Sequence, residues 1–170
     1  MNSTDTTVGG YMGSEMVTGT ITNTSVVTTS LPKLLDEVIK PTFSGHVIKY
    51  RNLLVNSVDE NKQSAGFTTW GGVSNQWNWN DRELDLMSEA NVYGTTVFSS
   101  SGFDTGIDNR QYAIFQLKPE YIHSYGSNYF TYWLKNVANK TAFVAMAHSG
   151  HSNYGVAGDK IGIRPRFLIG

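Results

Sequence analysis

Apolar and polar residues alternate along this chain with two periods, and the change of period marks the expected elements. Leu31, Leu34, Leu35 and Val38 fall on one side of a helix running from about Leu31 to Ile39. Ser30 precedes it as N-cap, Pro32 occupies the first turn, where a missing N–H costs nothing, and Pro41 ends it. A weaker helix begins at Ser14 and breaks in the β-branched run 22–30. His46 to Val55 reads as extended, and 56–80 shows no clear period. A second helix is expected from Asn80, with Glu83 three residues on completing a capping box. Leu84, Leu86, Met87 and Ala90 supply its buried side, and Gly94 ends it. A polar loop follows, then a strand over 111–117. The last forty or so residues read as β-rich, with strands at Tyr132–Leu134, Thr141–Met146 and Ile161–Ile169. This pattern gives a lead-in over 1–28 and one α+β domain over 29–170.

Composition narrows the class. The 170 residues carry a net charge of -1, so no basic stripe invites nucleic acid. No apolar run is long enough for a membrane span, and the first residues lack the regions of a signal peptide. Cysteine is absent, which excludes disulfides, thiolate metal sites and cysteine nucleophiles. Charged residues make up only 16% of the chain, and glycine, aromatics, Asn, Ser and Thr replace them. That mixture suits long ordered loops and adaptable polar contact.

Three stretches resemble a known group. Trp133-Leu134-Lys135, an Asn/Gly/Ser-rich loop and Gly162-Ile163-Arg164-Pro165 before a final apolar strand resemble the ending of gut-bacterial and phage surface proteins. The stretch 77–98, a Trp-rich start followed by a helix and a Phe, resembles the middle of the same proteins, and 8–16 resembles segments of phage tail-fibre-like proteins. These families are similar to the C-type-lectin-like fold in its formylglycine-generating-enzyme variant. The resemblance implies two helices, a twisted antiparallel sheet and a binding face in the last third of the chain. Some relatives are variable proteins of diversity-generating retroelements. Lys135 stands where those families carry Arg. The enzymes of this fold that make formylglycine depend on active-site cysteines, which this chain lacks.

Each chemical motif has a plainer reading beside it. Trp77 and Trp79 share a face if extended, as anchors or as a stacking surface for a sugar ring, and Trp133 reads as core. Trp79-Asn80-Asp81 copies the calcium-ligating tripeptide of sugar-binding C-type lectins. Calcium needs six to eight oxygens, however, and Asn80 or Asp81 is expected to cap a helix. Asp104-Thr105-Gly106 and Asp108 read as a turn or metal-free loop in a glycine-rich stretch; the second copy that an aspartic-protease site requires is missing from this chain and only a dimer could supply it. His148 and His151, with Asp159, are too few ligands for zinc. Asp81, Glu83, Asp104 and Asp108 are the nominal carboxylates of a glycosidase, and nothing singles out a pair. Arg164-Pro165 reads as structural, with proline at an edge or bulge.

The expected contact residues are Tyr125, Asn128, Tyr129, Asn136, Asn139, Lys140, Phe143, His148, His151, Asn153 and Tyr154. In the strand 141–146, Val144 and Met146 read as the inward set and Phe143 as outward. The function expected is non-enzymatic recognition of a host-cell-surface protein or glycan by a phage or prophage tail protein, located in the virion. The alternatives are a decoration domain binding other virion subunits, or a glycan-acting enzyme. No cofactor or metal is expected. A homo-oligomer, a trimer, is expected through the helix Leu31–Ile39.

Overall fold

The computed structural model describes residues 26–63, 72–95, 110–125, 128–129, 131–137, 142–146, 150–156 and 161–170. The first helix, α1, alternates between two helical forms. It comprises a π turn Val26–Ser30, an α turn Leu31–Leu34, a π turn Leu35–Ile39 and an α turn Lys40–Phe43. Each π turn is followed by an α turn with a proline in its first positions, Pro32 and Pro41. A proline inside a helix removes one N–H and crowds the carbonyl four residues back, and a widened i→i+5 turn relieves both.

This corrects three expectations. Ser30 lies inside the helix, with φ -72° and ψ -43° and no side-chain cap bond. Pro41 does not end it; Ser44 does, in the left-handed region at φ 42°. The buried line runs Val26, Val27, Leu31, Leu34, Ile39, and Val38 is exposed. The widened turn carries the buried face five residues on, from Leu34 to Ile39. Val26 and Val27 lie in the segment read as a lead-in, yet both are core.

Strands β1 (Val47–Ile48) and β2 (Tyr50–Gln63) follow, then β3 (Gly72–Arg82) and β4 (Asp85–Leu86). The expected helix from Asn80 is therefore strand at its start. Asn80 lies in β3, opposite Asn52. The helix itself, α2, is only Glu89–Tyr93. Ser88 caps it, and the side chain of Asn91 closes the box on the Ser88 N–H. Gly94 ends it as expected, at φ 80°. Leu84, Leu86, Met87 and Ala90 are all buried, as expected, although they span a strand, a turn and a helix. The stretch 111–117 is also corrected: Ala113–Leu117 is a helix, α3. Tyr112 and Phe115, three apart, stack with ring centres 6.4 Å apart, while Ile114 and Leu117 are exposed. That is helical rather than strand spacing. A 3₁₀ turn, Pro119–Ile122, follows.

The remainder is strand: β5 (Ser124–Tyr125), β6 (Asn128–Tyr129), β7 (Tyr132–Val137), β8 (Ala142–Met146), β9 (Ser152–Val156), β10 (Gly162–Ile163), β11 (Pro165–Arg166) and β12 (Leu168–Ile169). The largest sheet runs β10–β7–β8–β9, with β10 parallel to β7 and the other pairs antiparallel. Four two-stranded ladders complete the described strands: β1–β12, β2–β3, β4–β11 and β5–β6.

Strand β7 separates two apolar clusters. Trp133 joins α1, Leu84, Leu86 and Ile163 on one side. Tyr132 and Leu134 join Met87, Val92 and Phe115 on the other. Tyr132, Trp133, Leu134, Lys135 and Asn136 are all buried, so this run of β7 is buried on both faces.

Candidate functional site

Buried and largely buried polar groups join the C-terminal strands β7 and β11 to β2 and β4. Asn52 of β2, Asp85 of β4, Lys135 of β7 and Arg166 of β11 converge. The Asn52 amide donates to Asp85 Oδ2. Asn52 Oδ1 accepts from Arg166 Nη2 at 3.0 Å and from Lys135 Nζ at 3.4 Å. Arg166 Nη2 stands 3.7 Å from Asp85 Oδ2, and its Nη1 donates to Tyr112 Oη at 2.8 Å and to Asn91 Oδ1 at 3.3 Å. Its guanidinium also covers the Tyr50 ring, 5.7 Å from the centroid. Burial pushes the Tyr50 hydroxyl up to about 12, Asp85 adds to the rise, and Arg166 opposes it. Burial also raises Tyr112 and Tyr93, and pushes Tyr132 up to about 12.

These groups bind elements together. Buried ions must be paired and hydrogen-bonded to be tolerated, and here the pairing spans β2, β4, β7, β11 and α2. Arg164 does similar work at the edge. It donates to the Tyr121 carbonyl and lies over Phe115 and Tyr132, at 5.1 and 5.5 Å from the ring centroids. The structural reading of Arg164-Pro165 holds, with Pro165 in the two-residue strand opposite Leu86.

A second buried contact reaches the last third of the chain. Glu89 is fully buried in α2. Its N–H donates to Asn136 Oδ1 at 2.7 Å, and its carboxylate accepts from Ser152 Oγ in β9. Strand β9 is held again at Gly155. A Cβ there would stand 2.8 Å from Trp133 Cη2, so only glycine lets the strand lie over the indole. Just before β9, Gly150 takes φ 82°, and a Cβ would meet the His123 ring at 2.9 Å.

The expected contact residues divide accordingly. His151 and Asn153 are exposed at the start of β9. Asn136 is corrected: it is 0% exposed and serves α2 rather than a ligand. Tyr125 pairs with Asn128, and Tyr129 with Ser124, in the small ladder β5–β6. Phe143 pairs with Gly155, and Tyr154 with Val144. Asn139, Lys140 and His148 lie outside the described residues, as do Asp104, Asp108, Asp159 and Trp70. The side chain of Phe143, read as outward, and those of Val144 and Met146, read as inward, lie outside the described residues.

Elsewhere, Trp133 is core as expected, and Trp79 is 43% exposed on β3. Trp79-Asn80-Asp81 is strand, so the capping argument against calcium does not apply. Among the described residues, no group of three His, Asp or Glu side chains could hold a metal ion. A groove of about 340 Å³ runs between α1 and the β3–β4 turn, lined by Leu31, Pro32, Leu35 and Leu84 and rimmed by charged residues including Asp36, Lys40 and Asp81. Lys40 bridges Asp36 and Glu83 across it, at 3.2 and 3.3 Å, and these bonds raise its pKa.

Sequence reasoning missed the buried polar set. Its signal was present in a chain with so few charges: Asp85 between Leu84 and Leu86, Lys135 after Trp133-Leu134, and Arg166 before Phe167. Comparison with family models, curated proteins and solved structures gives no match to this chain.

Proposed function

We propose that this chain is a non-enzymatic recognition domain with a C-type-lectin-like fold, carried by a phage or prophage structural protein. It engages a host-cell-surface protein or glycan through the β8–β9 side of its C-terminal sheet. The observation that carries the reading is the anchoring of β9. The strand is fastened from beneath by Ser152 on Glu89 and by Gly155 on Trp133, while His151 and Asn153 remain exposed. Polar residues on a rigid support suit recognition, because little ordering entropy is lost on binding. The described interior charges are engaged in holding strands together, which favours binding over catalysis.

The test is a glycan array with binding to candidate bacterial cells, followed by His151→Ala, Asn153→Ala, Phe143→Ala and Tyr154→Ala. Loss of about 1–3 kcal/mol in binding by at least one aromatic variant, with an unchanged melting temperature, is the expected result. Wild-type affinity in all four variants would move the site elsewhere.

A further inference from the structure

The ladder β2–β3 has two unlike faces. Paired residues of an antiparallel ladder share a face, and the face alternates along each strand. Register is unbroken from Tyr50–Arg82 to Val55–Trp77. One face carries Tyr50 opposite Arg82 and Asn52 opposite Asn80. Asn52 is 6% exposed and bonds Asp85 and Arg166, and Arg166 covers Tyr50. This face lies on the body of the domain. The other face carries the register pairs Arg51–Asp81, Leu53–Trp79 and Val55–Trp77. Here Arg51 and Asp81 are exposed, Trp79 is 43% exposed, and the Arg51 guanidinium stands 5.5 Å from the Trp79 ring centroid.

A two-stranded ribbon is marginal in water by itself, and one with an exposed tryptophan on its outer face gains from cover. Trp and Arg together are the residues that dominate interface energetics. The charges indicate what covers it. Arg51 and Asp81 stand opposite each other beside the apolar positions, so the patch carries one charge of each sign. A two-fold contact presents the same patch from both sides. It can set Arg51 of one copy against Asp81 of the other while the Trp79 regions meet. The patch is thus its own electrostatic complement, and a net charge of -1 adds little repulsion between copies.

We propose that the chain associates with a second copy through the outer face of β2–β3, around Trp79. Helix α1, expected to mediate association, spends its apolar line on its own core, as Leu31, Leu34 and Ile39 are 1%, 4% and 3% exposed.

The test is sedimentation of the full chain from low to high micromolar concentration, with circular dichroism to confirm folding. The wild type is expected to show a reversible monomer–dimer equilibrium, and Trp79→Glu to weaken it at least about tenfold. If Trp79→Glu fails to fold, the charge reversals carry the test. Arg51→Asp alone and Asp81→Arg alone should each be monomeric, whereas their equimolar mixture should form a heterodimer. The heterodimer separates a contact between copies from the cross-strand pair within one copy. Lys33→Glu, on the exposed side of α1, should associate as the wild type does. A wild type that stays monomeric throughout would overturn the proposal. So would reversals that self-associate normally, or a mixture of two monomeric reversals that forms no heterodimer.

Discussion

Asp85 is 1% exposed and accepts from Asn52 beside the Arg166 guanidinium. Removing one member of such a set strands the others as buried polar groups, and that stranding is the larger cost. Asp85→Ala is therefore expected to lower stability by roughly 3–5 kcal/mol in urea unfolding. A loss under about 1 kcal/mol would show that water reaches Arg166 and Asn52. Gly155 makes a different demand, of space rather than charge. A Cβ at this position would stand 2.8 Å from the Trp133 indole edge and 3.1 Å from Ile161 Cδ1, closer than packed carbon atoms approach. Gly155→Ala should cost about 1–3 kcal/mol through overpacking. It should also disturb the exposed start of β9, which hydrogen exchange of the Ser152–Val156 amides would read.

The shortest helices are defined by their ends rather than by their lengths. Helix α2 has one and a half turns, Glu89–Tyr93, which is too short to stand on propensity. It is specified by Ser88 at one end, Gly94 at the other, and the buried Asn136 amide under its first N–H. Ser88→Ala removes the cap from a fully buried site, and a loss of about 1–2 kcal/mol is expected in urea unfolding. An unchanged midpoint would mean that Asn136 alone holds the helix. Helix α1 shows the complementary case. Its two prolines do not break it, because each is preceded by a π turn that absorbs the missing bond.

For the whole molecule, the buried tyrosines couple stability to alkaline pH. Tyr50 and Tyr132 are held at about 12 by burial, and Tyr93 and Tyr112 are raised by the same cause. An unfolded tyrosine loses its proton near pH 10. Between about pH 10 and 12 the unfolded state therefore binds fewer protons than the folded one, and stability falls as pH rises. The stabilisation is complete below about pH 10 and is lost through the folded pKa values. Urea midpoints from pH 8 to 11.5 should be flat and then drop steeply after about pH 10, in step with tyrosinate absorbance. A flat profile to pH 11.5 would show that these four hydroxyls ionise as readily in the folded state as in the unfolded one.

Periodicity and punctuation determined the local outcomes that depend only on neighbours in sequence. The extended run from His46, strands at Tyr132–Leu134 and Thr141–Met146 (observed as Tyr132–Val137 and Ala142–Met146), the glycine stop at Gly94, and the buried status of Trp133, Leu84, Leu86 and Met87 were all legible. So were His151 and Asn153 as exposed polar positions. Tertiary packing decided the rest. Asn80 carried a capping signal, yet it pairs with Asn52 in β3, because a ladder partner satisfies more backbone than a cap does. Residues 111–117 became helix because Tyr112 and Phe115 needed one common face. Asn136 turned from a surface contact into an internal anchor once Glu89, far away in sequence, was packed against it. The choice of Asp85, Lys135 and Arg166 as interior ions required β2, β4, β7 and β11 to meet. A buried charge is tolerated only where opposite charge and hydrogen bonds converge in space, and convergence in space is set by the fold rather than by any window of sequence.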